Sequence, residues 1–149
     1  MEYGSNHSNY LANIFDSKVY KTKVDTTVDQ VCIMLEDSKY IFDAIAFSGE
    51  SGGAIAYPLS YLTELYLICV RKEGTNTHGQ ALEAGYWQKG YVIVDDQIST
   101  GATMRRIIDG VKALRPESMC QGIVLYNSSR NSDYNGIPVI GTLKKVVIY

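Results

Sequence analysis

"YVIVDDQISTGATMRR", residues 91–106, is the stretch that decides the fold. Its apolar run ends in two adjacent carboxylates, Asp95 and Asp96. The turn Ser99, Thr100, Gly101, Ala102 and Thr103 then opens a helical pattern, in which Met104, Ile107, Ile108, Val111 and Leu114 form one apolar stripe. A strand without strict alternation that runs straight into a helix suits a parallel sheet covered on both faces. Ligands of such sheets gather at the carboxyl ends of strands, where the two aspartates fall.

The same alternation recurs on either side. Thr27 with Gln30 resembles a capping box, and Val28, Val31, Cys32 and Leu35 repeat at helical spacing, which predicts a helix over 27–38. "YIFDAIAFS" (40–48) reads as a buried strand and "SGESGG" (48–53) as a glycine-rich turn. "AIAYPLSYLTEL" (54–65) reads as a helix that Pro58 bends or leaves irregular in its first half. "YLICV" (66–70) and "MCQGIVLY" (119–126) are further strands, separated from their neighbours by the polar excursion "RKEGTNTHGQ" (71–80) and the loop "NSSRNSDYNG" (127–136). The tail "IPVIGTLKKVVIY" (137–149) supplies one or two short strands. Residues 1–22 are polar and uneven, with at most a short helix over Tyr10–Phe15, so 1–25 form an arm or a partial hood. The expected fold is α/β, a mostly parallel twisted sheet flanked by helices, in a single domain over 1–149.

At 149 residues and 46% hydrophobic content, one globular core is affordable and a second is not. A net charge of -2, from 14 basic and 16 acidic residues, offers no general field for nucleic acid or an anionic membrane. No run of about 18 apolar residues occurs, and no basic segment followed by an apolar one opens the chain, which predicts a soluble cytoplasmic protein. Cys32, Cys69 and Cys120 are odd in number and sit in apolar contexts, which predicts buried free thiols rather than a disulfide framework or a metal site.

Backbone amides over 99–103 can converge on an anion at a helix N-terminus, helped by the hydroxyls of Thr100 and Thr103. A monoester phosphate fits that size. Neither G-x-x-x-x-G-K-[ST] nor a post-strand G-x-G-x-x-G occurs, which argues against a P-loop nucleotidase and a dinucleotide-binding domain. Asp95 and Asp96 can meet ribose-like hydroxyls directly, or through water or Mg2+; the alternative is a solvated acidic turn. The second loop, Ser48 to Gly53, lies between a strand and a helix, and Gly49, Gly52 and Gly53 permit positive φ and close approach to an anion. Phosphate, diol and a further phosphate group make the layout of phosphoribosyl pyrophosphate.

"VIVDDQISTGAT" resembles the phosphoribosyl-pyrophosphate motif of type I phosphoribosyltransferases, and "IAFSGESGGAIAYPLSYLTELYLICVRKEG" resembles that family's pyrophosphate loop, helix, strand and start of the flexible catalytic loop. Roughly residues 41–126 are covered. The resemblance implies a type I phosphoribosyltransferase-like core, here with a reduced hood. It implies that Asp95 and Asp96 bind the ribose hydroxyls and Mg2+, that Ser99, Thr100, Gly101, Ala102 and Thr103 bind the 5'-phosphate, and that Ser48, Gly49, Glu50, Ser51 and Gly52 bind pyrophosphate. Arg71 and Lys72 would stabilise the leaving pyrophosphate, and the loop carrying His78 would close over the site. The loop is closest to the orotate branch, Arg-Lys-x-x-Lys-x-His-Gly, but has Thr75, Asn76 and Thr77 where the second lysine falls.

The implied reaction is displacement of pyrophosphate by a nucleobase or orotate-like acceptor, in a homodimer, with Tyr126 and Asn127 touching the base. Arg105 and Arg106 either meet an anion or face solvent. Two other classes remain: a non-catalytic regulator that binds phosphoribosyl pyrophosphate or a nucleotide, favoured by the missing lysine, and a structural or protein-interaction domain of the same fold.

Overall fold

Continuous apolar runs bury completely: in "GYVIVD" every residue from Gly90 to Asp95 is buried. The computed structural model describes residues 12–72 and 81–143. In chain order these form α1 (Ala12–Phe15), α2 (Ser17–Glu36), β1 (Phe42–Phe47), α3 (Gly49–Thr63), β2 (Tyr66–Val70), β3 (Leu82–Ala84), β4 (Gly90–Asp95), α4 (Ala102–Leu114), β5 (Cys120–Leu125), β6 (Ser132–Tyr134) and β7 (Ile137–Gly141). The strands make one sheet in the order β3-β2-β1-β4-β5-β7-β6. Neighbours among β2, β1, β4, β5 and β7 pair in parallel, while β3 and β6 pair antiparallel at the two edges.

Alternate residues of each central strand enter different cores. Val92 and Val94 pack with Val31 and Met34 of α2 and Ile55 and Leu59 of α3. Tyr91 and Ile93 pack with Met104, Ile107 and Val111 of α4 on the opposite face. The α/β architecture expected from the sequence is therefore the one observed. None of the described helices is long and apolar enough to cross a membrane.

The order of strands places the site. From β1 the chain crosses through α3 to β2 on one side, then returns to β4 on the other side of β1, and moves on through α4 to β5. The direction of winding reverses between β1 and β4. At such a reversal the helices leave on opposite faces and a crevice opens beyond the carboxyl ends of the two strands.

Several local expectations need correction. The helix predicted over 27–38 runs from Ser17, because Asp16 caps it: its Oδ1 accepts from Lys18 N at 2.9 Å and Val19 N at 3.3 Å. Thr27 is no cap but a buried mid-helix residue whose hydroxyl donates to the Lys23 carbonyl at 2.7 Å. The helix expected from residue 54 starts at Gly49, so "SGESGG" is its entry and first turn, and of the three glycines only Gly49 has positive φ, at 84°.

Pro58 leaves α3 uninterrupted. It cannot donate to the Ala54 carbonyl one turn earlier, and the Tyr20 hydroxyl of α2 donates there instead. The edge strands β3 and β6 escape sequence reading because each has three residues and only one face to bury. Cys32 is exposed and Cys69 and Cys120 are partly buried, so the expectation of buried thiols fails for Cys32; all three are free. Leu114 at the end of the α4 stripe is exposed.

Candidate functional site

Ser48 follows β1, caps α3 by position, and is buried, yet its hydroxyl makes no capping bond to the helix. It accepts instead from Arg106 Nη1 of α4 at 3.3 Å, across the crevice. The first-turn amides of α3 are thereby left pointing at the opening, with the positive end of the helix dipole behind them. Gly52 lets this turn sit against the end of β4: a Cβ there would lie 2.9 Å from the Val94 carbonyl oxygen and 3.1 Å from Phe47 Cβ. Glu50 is exposed in the same turn.

The two aspartates close the floor. Asp95 and Asp96 are 5% and 8% exposed, which for adjacent carboxylates demands donors. Asp95 Oδ1 accepts from the Ser51 hydroxyl at 3.2 Å and from Asp96 N at 2.9 Å, and Asp96 Oδ1 accepts from Gln97 N at 2.8 Å. Burial pushes the Asp95 carboxyl up to about 7, and the neighbouring Asp96 charge adds to the rise, while the Asp96 amide opposes it. A cation or a pair of ligand hydroxyls would hold both in the ionised form. Among the described residues no cluster of three His, Cys, Asp or Glu side chains occurs. The pair nonetheless suits Mg2+, which takes one or two carboxylates and completes its shell with ligand oxygens and water.

The turn after β4 forms the far wall. Gly101 caps α4 at φ 82°, and a Cβ there would stand 3.1 Å from the ring of Tyr134. Tyr134 supports this turn from β6, its hydroxyl donating to the Gly101 carbonyl at 3.4 Å. Thr100 Oγ1 accepts from Ala102 N at 3.3 Å. Ser99, Thr100 and Ala102 are exposed at the mouth, with Thr103 half-buried. Of the two arginines, Arg105 faces solvent and Arg106 is the half-buried one that reaches Ser48.

Arg71 and Lys72 follow β2 on the same edge, and with Phe47, Gly49, Glu50 and Tyr57 they line a cavity of about 740 Å³. Arg71 pairs with Glu83 at 2.9 Å, and its amide donates to the Ala81 carbonyl at 2.7 Å, which ties the chain leaving β2 to β3. His78 lies outside the described residues.

Tyr126 does not present a stacking face for a base. It is 1% exposed, and its hydroxyl donates to the Ser51 carbonyl at 2.8 Å, so it props up the first turn of α3 from the core. Its neighbour Asn127 stays at the crevice, donating its amide to the Asp96 carbonyl at 2.9 Å. The structure thus brings residues 48–52, 71–72, 95–96 and 99–103 to one edge. It adds Arg106 at Ser48, Tyr134 under Gly101 and Lys23, whose ammonium donates to Asn127; of these the sequence marks only Arg106, as one of a pair.

No protein-family model matches the chain. The transcriptional regulator GfcR of Thermoplasma acidophilum is 34% identical over 121 residues, covering 76% of this chain and 59% of the regulator. The chain therefore spans about three fifths of that relative's length. An orotate phosphoribosyltransferase of Francisella tularensis superposes with a TM-score of 0.63 at 15% identity, over 88% of this chain and 69% of that one. An adenine phosphoribosyltransferase of Thermoanaerobacter pseudethanolicus gives 0.60 at 19% identity, over 87% and 82%. The fold is the type I phosphoribosyltransferase core, and the likeness spans proteins named for different bases.

Proposed function

We propose that the crevice between β1 and β4 binds phosphoribosyl pyrophosphate, and that the chain transfers its phosphoribosyl group to a nucleobase or orotate-like acceptor. The observation that carries this reading is the convergence of two helix N-termini, those of α3 and α4, on a pair of buried carboxylates at the strand reversal. One N-terminus suits each phosphate end of the ligand.

In this reading residues 99–103 hold the 5'-phosphate, Asp95 and Asp96 accept from the ribose hydroxyls, and the turn from Ser48 to Gly52 holds the diphosphate. The bond from the anomeric carbon to the diphosphate oxygen breaks as a bond to the acceptor nitrogen forms, with positive charge developing on the sugar. Arg71 and Lys72 meet the negative charge that grows on the departing diphosphate. Mg2+, when bound through Asp95 and Asp96 and ligand oxygens, supplies further neutralisation of that charge. His78 belongs to the loop that excludes water from the electrophilic sugar. A homodimer is part of the reading, supported by Tyr57, Tyr61 and Leu62 on α3, which are 59%, 85% and 55% exposed.

Incubation with phosphoribosyl pyrophosphate, Mg2+ and a panel of bases tests it, with pyrophosphate release as the expected result. One finding favours a second reading, a regulator that binds the same ligand without turning it over: the 34% identical relative is named as a transcriptional regulator. Tight binding of phosphoribosyl pyrophosphate with no release for any base would select that reading.

A further inference from the structure

Lys23 is the charged side chain, among the buried ones of the described residues, that the proposed chemistry leaves unused. It sits on α2 at 8% exposure, and lysines are seldom buried without a counter-ion. Its polar partners are neutral: Nζ donates to Asn127 Oδ1 at 2.5 Å and to the Tyr126 carbonyl at 3.5 Å, and it lies 5.8 Å from the centroid of the Tyr126 ring. No salt bridge among the described residues includes it. It opens on a cavity of about 400 Å³ that Thr22, Thr26, Tyr126, Thr142 and Leu143 also line, a volume within the range of small-molecule pockets.

The place of the Lys23–Asn127 pair follows from the proposed reaction, on which the inference rests; Asn127 itself lines the neighbouring opening with Gln97 and Ile98. With the diphosphate on the β1 side of the ribose, an in-line nucleophile must approach from the opposite side, toward β5. Asn127 directly follows β5, and its backbone is bonded to Asp96. A lysine has three N–H donors, and two are engaged here. Asn127 has given its carbonyl to Lys23, which leaves its Nδ2 hydrogens. Both groups remaining at this corner are therefore donors.

We infer that Lys23 and Asn127 form the acceptor subsite, and that they select a base presenting two neighbouring hydrogen-bond acceptors, an oxo or carboxylate oxygen beside a ring nitrogen or second oxygen, over a base presenting an exocyclic amine. An amine would set donor against donor and leave the third ammonium N–H without an acceptor, whereas an oxygen satisfies it. Burial lowers the Lys23 pKa, which agrees with a cation short of negative partners.

Calorimetry with nucleoside 5'-monophosphates tests this, since each carries base and ribose phosphate in one stable molecule. Inosine or orotidine 5'-monophosphate should bind the parent about tenfold or more tighter than adenosine 5'-monophosphate. Lys23→Met should remove that advantage while leaving adenosine 5'-monophosphate and phosphoribosyl pyrophosphate within about twofold. Asn127→Asp keeps the Lys23 contact and replaces a donor with an acceptor, so it should shift the preference toward the amine-bearing nucleotide even if Lys23→Met fails to fold. Equal affinity of the parent for both classes overturns the inference, as does a Lys23→Met loss shared equally by every ligand, which would make Lys23 a pin for α2. Binding of phosphoribosyl pyrophosphate without base discrimination would overturn the subsite alone; failure of every ligand to bind would overturn the proposed function with it.

Discussion

The Ser51 hydroxyl donates to Asp95 Oδ1 at 3.2 Å, joining the first turn of α3 to the end of β4. The carbonyl of the same serine accepts from Tyr126 at 2.8 Å, so β1, β4 and β5 are tied together at their carboxyl ends by one residue of this turn. A ligand that moves this turn moves Asp95 with it.

Asp95 makes stability fall as pH rises. Its carboxyl titrates at about 7 in the folded chain against 3.8 ordinarily, so between these values the folded state holds a proton that the unfolded state has released. Below 3.8 both states are protonated and the residue is neutral to stability. Asp95→Asn should raise Tm by about 4 °C or more at pH 8 and change it little at pH 4, in thermal melts of the unliganded protein.

The same group should cost the variant its ligand. Asn side chains accept weakly and hold Mg2+ poorly, so Asp95→Asn with Asp96→Asn should weaken phosphoribosyl pyrophosphate by about 10²-fold or more while the fold survives. Calorimetry against the parent decides it, and equal affinities would remove the pair from the site.

Lys72 separates enzyme from regulator. Lys72 lines the same cavity as the first turn of α3 and should carry much of the stabilisation of departing diphosphate. Lys72→Ala should lower turnover by about 10²- to 10³-fold with a far smaller effect on affinity. A weak parental turnover that persists unchanged in the variant would point to the regulator.

Tyr20 and Pro58 form a testable couple in the fold. Tyr20→Phe leaves the Ala54 carbonyl without its donor and should destabilise by about 1–2 kcal/mol in urea melts. In a Pro58→Ala background residue 58 regains an N–H, so the same change should cost much less. Additive losses would show that Tyr20 does not compensate for the proline.

Tyr57, Tyr61 and Leu62 predict self-association. Sedimentation at tens of micromolar should show a dimer, and Tyr61→Glu should shift it toward monomer without loss of secondary structure; a monomeric parent would count against the homodimer.

The sequence by itself determined the alternation of strands and helices and the two glycine-bearing turns at strand ends. Hydrophobic periodicity and the placement of glycine and acid at strand ends are local signals, readable within ten or so residues. It also placed Asp95, Asp96 and residues 99–103 at one edge, because a strand's carboxyl end and the following helix's N-terminus are adjacent in the chain. What only the tertiary structure decided lies between distant segments. The winding reverses between β1 and β4, which sets Ser51 against Asp95 and Arg106 against Ser48. Tyr126 turns inward and donates to the α3 turn above it, and Tyr134 comes under Gly101 through pairing of the edge strand β6 with β7. Lys23 gave no local sign, since a lysine in a polar segment reads as solvent-facing until α2 packs over β5 and its ammonium meets Asn127, 104 residues away. Burial is a property of the packed chain, and a charge acquires its meaning only from what closes around it.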